Sequence, residues 1–154
     1  MLEPLQLTQS PARAAAVIPL RIPLQDLPSV MGPAITELLA ALAAQGVAPA
    51  GPLFNRVLAT DAGVFDMEVG VVVSAPVAPA GRVRPGGLPA ARVVRTTYHG
   101  PYEGLHAAWG EFKTLVEAQG YPSAPGPWES YVVGPESSPD PAGYRTELNQ
   151  PLVD

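Results

Sequence analysis

Two stretches of the chain repeat their apolar residues at helical spacing. Met31, Ile35, Leu38, Leu39 and Leu42 fall on one stripe, with Gly46 placed to stop the helix. Leu105, Trp109, Phe112 and Val116 form a second stripe, opened by Pro101 and closed by Gly120. Pro28 suits a helix start, whereas Gly32-Pro33 predicts a delayed or kinked first turn. Between and around these stripes lie short apolar runs of strand type. Residues 12–18 predict a first strand ending in the Pro19 to Pro23 segment, and Gly51-Pro52 opens a second over 53–59. Asp61-Ala62-Gly63 reads as a hairpin turn into a third over 64–73. Residues 90–98 predict a fourth strand, the residues after Gly126-Pro127 a fifth that Gly134 ends, and a last one closes at Pro151. The stretch from 74 to 89 is dense in Pro, Gly and Ala and reads as a connection, with Arg82 and Arg84 solvated.

The pattern occurs twice. In the register that places Gly46 on Gly120, Met31, Ile35, Leu38 and Leu42 fall on Leu105, Trp109, Phe112 and Val116. One extra residue in the following loop brings Gly51-Pro52 onto Gly126-Pro127, so that Phe54 and Arg56 fall on Glu129 and Tyr131, and Met67-Glu68-Val69 falls on Thr146-Glu147-Leu148. The expected fold is therefore α+β: a duplicated strand-helix-strand-strand unit with curved antiparallel sheets, two main helices and a central groove at the pseudo-twofold axis. The expectation is a single domain over 1–154, with repeats at about 10–74 and 89–152 and a linker at 75–88.

Composition narrows the function classes. With 47% of its 154 residues apolar, the chain can bury a sizeable core, so its 20 Pro and 15 Gly punctuate short elements rather than signal disorder. The net charge is −5, and Lys113 is the one lysine among nine basic residues. No basic cluster tracks a phosphate backbone, so nucleic acid is not an expected partner of this chain alone. Absence of cysteine removes disulfides, thiol nucleophiles and thiolate metal sites together. The N-terminus lacks a basic segment followed by an apolar run, and no stretch is read as a membrane span; a cytoplasmic protein without a membrane partner is expected.

The candidate chemistry lies in Gly126-Pro127-Trp128-Glu129-Ser130-Tyr131-Val132-Val133-Gly134. On a strand, Glu129, Tyr131 and Val133 share one face while Trp128, Ser130 and Val132 share the other. A lone Glu on an antiparallel strand more often faces water. If this face is covered, Glu129 must instead find a partner, a proton or a cationic ligand. Glu147 and Glu68 are the other acids in the paired strands, and the direction of Glu147 depends on register.

The joint at Leu88-Pro89-Ala90, the helix entry His99-Gly100-Pro101-Tyr102, Trp128-Glu129-Ser130-Tyr131 and the closing Thr146-Glu147-Leu148 with Pro151 resemble the GyrI-like small-molecule-binding domain over nearly the whole chain. That family includes the effector-binding half of transcription activators and freestanding proteins, and the length of this chain suggests the freestanding form. The resemblance implies lipophilic, often cationic aromatic ligands held by aromatic side chains around a buried Glu. Glu129 matches that residue and Glu147 matches the second strand acid. Phe54, Trp128, Tyr102 and Tyr131 join them as candidate ligand contacts, and Arg145 is placed to neutralise one acid.

Some freestanding members of the family hydrolyse strained cyclopropane rings of toxic natural products. In that alternative Glu129, Glu147 and Tyr131 are the candidate catalytic residues, with a carboxylate as general base or acid and the phenol supporting an oxygen. A third alternative follows from one member's inhibition of DNA gyrase, in which the acidic surface meets a protein partner. No cofactor is called for. His99 and His106 have no third ligand at an obvious spacing, so no metal site is expected. Ser130 lies on the strand face opposite Glu129 and has no His to activate it. Tyr98 reads as core or helix-entry packing, and Trp109 and Phe112 read as core.

Overall fold

The computed structural model describes residues 2–135 and 137–153. Among these residues lie eight strands and two α-helices: β1 Gln6–Ser10, β2 Arg13–Pro23, α1 Leu27–Gln45, β3 Pro49–Asp61, β4 Val64–Val73, β5 Arg84–Leu88, β6 Ala91–His99, α2 Leu105–Ala118, β7 Trp128–Val133 and β8 Arg145–Pro151. They divide into two compact units, one formed by Pro11–Ala90 and one by Met1–Ser10 with Ala91–Asp154. Each unit holds a strand-helix-strand-strand repeat with antiparallel pairing, and the fold class is α+β.

In the Pro11–Ala90 unit, β2 lies between β4 and β5, and β3 pairs with β4. The helix α1 lays Ala34, Leu38 and Leu42 on Ala16, Ile18, Val69 and Val71, the buried core of this unit. Pro28 sits in its first turn as expected, and Gly46 caps it in the left-handed conformation at φ 69°. The expected delay at Gly32-Pro33 does not occur, since the helix starts at Leu27 and carries Pro33 inside it. With its leading turn this segment, Leu24–Gln45, is also long and apolar enough to cross a membrane, a property overlooked in the sequence reading. Its buried residues here face the strands of its own unit.

The strand β2 outruns its expected end and passes through Pro19 to Pro23. Its neighbour β5 covers only Arg13 to Val17, so these prolines fall where one side of β2 is an edge, the place in a sheet where proline is tolerated. The hairpin at Asp61-Ala62-Gly63 forms as expected, with Ala62 at φ 51° and Gly63 at φ 80°.

Two strands went unrecognised in the sequence. β1 lies in the short leader and pairs with β6; β5 lies in the Pro/Gly-rich connection and pairs with β2. Each is an edge strand of five residues whose partner is the first strand of a repeat. The leader thereby completes the unit of the second repeat, and the connection completes that of the first.

In the second unit the neighbours are β1, β6, β8 and β7. The helix α2 buries Ala108, Phe112 and Val116 against Val94, Tyr98, Leu148 and Leu152. That core defines the helix-covered face of the sheet. Thr146, Leu148 and Gln150 of β8 belong to it, whereas Glu147 and Asn149 point to the other face.

Ladder register corrects the alignment of the repeats. Asn55 pairs with Val69 and Glu129 with Leu148, and Val69 and Leu148 are equivalent core residues under the helices. The counterpart of Glu129 is therefore Asn55, not Phe54, and Phe54 corresponds to Trp128. A register shift in β3 between Pro49 and Leu53 absorbs the residue that the count from Gly51-Pro52 misplaced.

Candidate functional site

The site is built on β7 and α2. Glu129 and Tyr131 share the helix-covered face of the sheet, directly opposite Leu148 and Thr146 of β8. Trp109 stands on α2 one position from the fully buried stripe, and its ring meets Phe112 edge-on at 5.6 Å. Its indole Nε1 donates to Glu129 Oε1 at 2.7 Å, and the phenol of Tyr131 donates to Glu129 Oε2 at 2.6 Å. Both carboxylate oxygens are thus held by neutral donors from aromatic side chains. Among the described residues no ion pair reaches Glu129.

The helix entry brings a further ring. Tyr98 is buried on β6 and donates its hydroxyl to Pro101 O at 2.9 Å, which folds the chain back at Gly100 and starts the turn Tyr102–Gly104. Gly104 has to lack a side chain, since a Cβ there would lie 2.1 Å from the Tyr98 hydroxyl. The turn sets the Tyr102 ring 5.7 Å from that of Tyr131 and 5.0 Å from that of Tyr144. Tyr102 is 37% exposed, so the rings lead from solvent toward the carboxylate.

Burial pushes the Glu129 carboxyl above the ordinary carboxylate range, and the hydrogen bonds from Tyr131 and Trp109 pull it partly back. Desolvation wins because neither donor carries a charge. A carboxyl so placed gains most from a positive charge brought into the same poorly hydrated space.

Several expected site residues lie elsewhere. Glu147 is on the opposite face of the sheet from Glu129, so the structure does not join the two acids. Its Oε1 is 3.4 Å from Arg95 Nε and accepts from Asn149 Nδ2 at 3.3 Å. Arg95, not Arg145, is its basic neighbour. Trp128 also points away from Glu129 and is 2% exposed. Phe54 is fully buried in the other unit, packed where a Gly70 Cβ would stand. The two residues that sequence reasoning missed are Trp109, assigned to the core because it continued the helix stripe, and Tyr144, which lies just before β8. A polar indole N–H on the stripe was the available signal for the first. Tyr98 packs as expected. His99 meets Glu3 through Nε2 at 2.5 Å, and His106 is exposed. A cleft of about 270 Å³ lined by Phe112, Lys113, Val116 and Gln150 includes neither Glu129 nor any of the rings around it.

The model of the GyrI-like small molecule binding domain matches residues 4–152. The chain belongs to the GyrI-like family. Its fold is close to that of EcmrR in a DNA complex, with a TM-score of 0.87 and 22% identity over 98% of this chain and 57% of EcmrR. This GyrI-like chain thus spans little more than half of the EcmrR polypeptide. The isolated EcmrR C-terminal domain gives a TM-score of 0.85 at 22% identity, with 98% of both chains covered. SAV2435, solved bound to tetraphenylphosphonium, gives 0.75 at 13% identity over 98% of this chain and 94% of that one. A hydrolase encoded by lin2189 of Listeria innocua gives 0.63 at 13% identity over 97% and 91%. At these identities the likeness carries the fold. No curated protein matches the sequence.

Proposed function

We propose that this GyrI-like protein captures lipophilic, cationic aromatic molecules at Glu129, within the rings of Trp109, Tyr131, Tyr102 and Tyr144. The observation that carries the reading is a half-buried carboxylate whose two oxygens are held by an indole N–H and a phenol, with no basic partner among the described residues. A delocalised organic cation loses less on leaving water than an ammonium does, and each ring face it meets adds roughly 0.5–2 kcal/mol, most where the contact is desolvated. Flat rings and one charge demand little directionality, which suits varied ligands and a multidrug role. The tetraphenylphosphonium held by SAV2435 is a molecule of this class.

The test is calorimetric titration with tetraphenylphosphonium. The parent protein should bind it, and Glu129→Gln should weaken binding at least about tenfold, the loss of one charged contact. Equal affinity in parent and variant removes the carboxylate from the account.

One observation supports hydrolysis as a second reading. A carboxyl whose pKa burial raises, beside a phenol, is equipped to take up and pass on a proton. Glu129 would take a proton from water as the water oxygen bonds to a ring carbon of a strained cyclopropane; the electron pair of the breaking C–C bond passes to an acceptor group that Tyr131 steadies, and that group takes up the proton. Glu147, on the opposite sheet face, takes no part. The product would be heavier than the substrate by one water; stoichiometric binding without that product favours capture.

A further inference from the structure

Thr146 carries a hydroxyl that no described residue engages. It is fully buried on the Glu129 face of β8, between Tyr98 of β6 and Tyr131 of β7. Its Oγ1 has no hydrogen-bond partner among the described residues. The flanking phenols are engaged elsewhere: Tyr98 donates to Pro101 O and Tyr131 to Glu129. Thr96 shows the ordinary alternative, since this buried hydroxyl on the same face donates to Glu3 O at 2.7 Å.

Packing alone does not call for threonine at this place. In the first repeat the equivalent position is Met67, which is buried and pairs with Leu20 as Thr146 pairs with Tyr98. Valine would fill the volume of Thr146 without stranding a polar atom, so an unpaired hydroxyl here lowers the stability of the empty protein. Such a group calls for a partner from outside the fold, a water or a bound molecule. Glu129 faces Leu148, and Thr146 is two residues along β8 on the same face, a diagonal on the order of 7–8 Å in a sheet and about the span of one aryl ring. A cation seated on the carboxylate competes with the Tyr131 phenol for Oε2, and displacement of that ring uncovers the residue directly opposite it, which is Thr146.

We propose that Thr146 determines specificity at the Glu129 site: its hydroxyl bonds a neutral polar substituent, a hydroxyl or amine, on the aromatic body of the bound cation. The ligand class is thereby narrowed from any lipophilic aromatic cation to one carrying such a group about one ring away from its charge. This inference rests on the cation-binding reading above.

The probes are tetraphenylphosphonium and the three isomers of (hydroxyphenyl)triphenylphosphonium, titrated into the parent, Thr146→Val, Thr146→Ser and Glu129→Gln proteins, with thermal unfolding of each. At least one hydroxylated isomer should bind the parent about five- to tenfold more tightly than tetraphenylphosphonium, the worth of one neutral hydrogen bond. Thr146→Val should abolish that preference, so that the hydroxylated isomers and tetraphenylphosphonium bind the variant alike; Thr146→Ser should keep it. Unfolding of the valine variant should occur at an equal or higher temperature. If no isomer is preferred, if the preference survives in Thr146→Val, or if that variant melts lower, the role of Thr146 is overturned. If tetraphenylphosphonium fails to bind the parent, or binds Glu129→Gln equally well, the reading of the site itself fails.

Discussion

The indole N–H of Trp109 reaches Glu129 across 2.7 Å and ties α2 to β7 by a single neutral hydrogen bond. The helix therefore positions the carboxylate without neutralising it. A basic residue in that place would hold the acid ionised and occupied, closing it to an incoming cation. An apolar one would leave a buried oxygen unpaired at a cost of about 1–3 kcal/mol. The phenol of Tyr131 supports the second oxygen in the same way.

Replacing Trp109 by Phe should raise the Glu129 pKa further, because one of the two bonds that favour the anion is lost. Cation affinity at pH values around the raised pKa falls, and the midpoint of its pH dependence moves upward. Titrations with tetraphenylphosphonium at a series of pH values measure both. An unchanged midpoint would show that the indole does not hold the ionised form.

The raised pKa of Glu129 fixes the sign of two pH effects. A cation selects the ionised carboxylate, so affinity should fall as pH drops through the raised value, and binding near that value should release protons into the buffer. For stability the sign is opposite. The folded state holds the proton more firmly than the unfolded one, so this group adds stability as pH falls from above its folded pKa toward the ordinary carboxylate range, and that gain is lost as pH rises. Glu129→Gln should flatten this trend and melt at an equal or higher temperature than the parent above the raised pKa. Calorimetry in buffers of different ionisation heat and thermal unfolding across pH check the two effects.

Glu147→Gln should leave tetraphenylphosphonium affinity within about twofold and change stability by about 0–1 kcal/mol, the worth of its part-exposed contact with Arg95. A loss of affinity equal to that of Glu129→Gln would place Glu147 in the binding site despite its position on the other sheet face.

Gly104→Ala should destabilise the protein by about 1–3 kcal/mol, since the new methyl would stand 2.1 Å from the Tyr98 hydroxyl. Its backbone, at φ −88°, is ordinary, so the cost is steric and not conformational. Tyr98→Phe in the same chain should recover part of the loss, as the remaining contact would be to the ring carbon at 3.0 Å. Denaturant unfolding of the single and double variants measures the coupling; additive losses would show that the hydroxyl is not the obstacle.

Helical spacing, strand alternation and glycine punctuation were enough to read the repeat, the elements with cores of their own, and the shared face of Glu129 and Tyr131, because these depend on period and on local backbone preference. Three matters waited for the tertiary structure. β1 and β5 are short edge strands recognisable only through the partners they join, β6 and β2. The equivalence of Glu129 with Asn55 depends on an irregularity in β3, and a slip of one residue sends every side chain of a strand to the other face. The same alternation sends Glu147 away from the site that sequence proximity suggested for it, whereas the recruitment of Trp109 required knowing how far α2 is rotated over the sheet. Local pattern states what kind of element each segment is; register and helix rotation are set by packing between segments, and they decide which side chains meet.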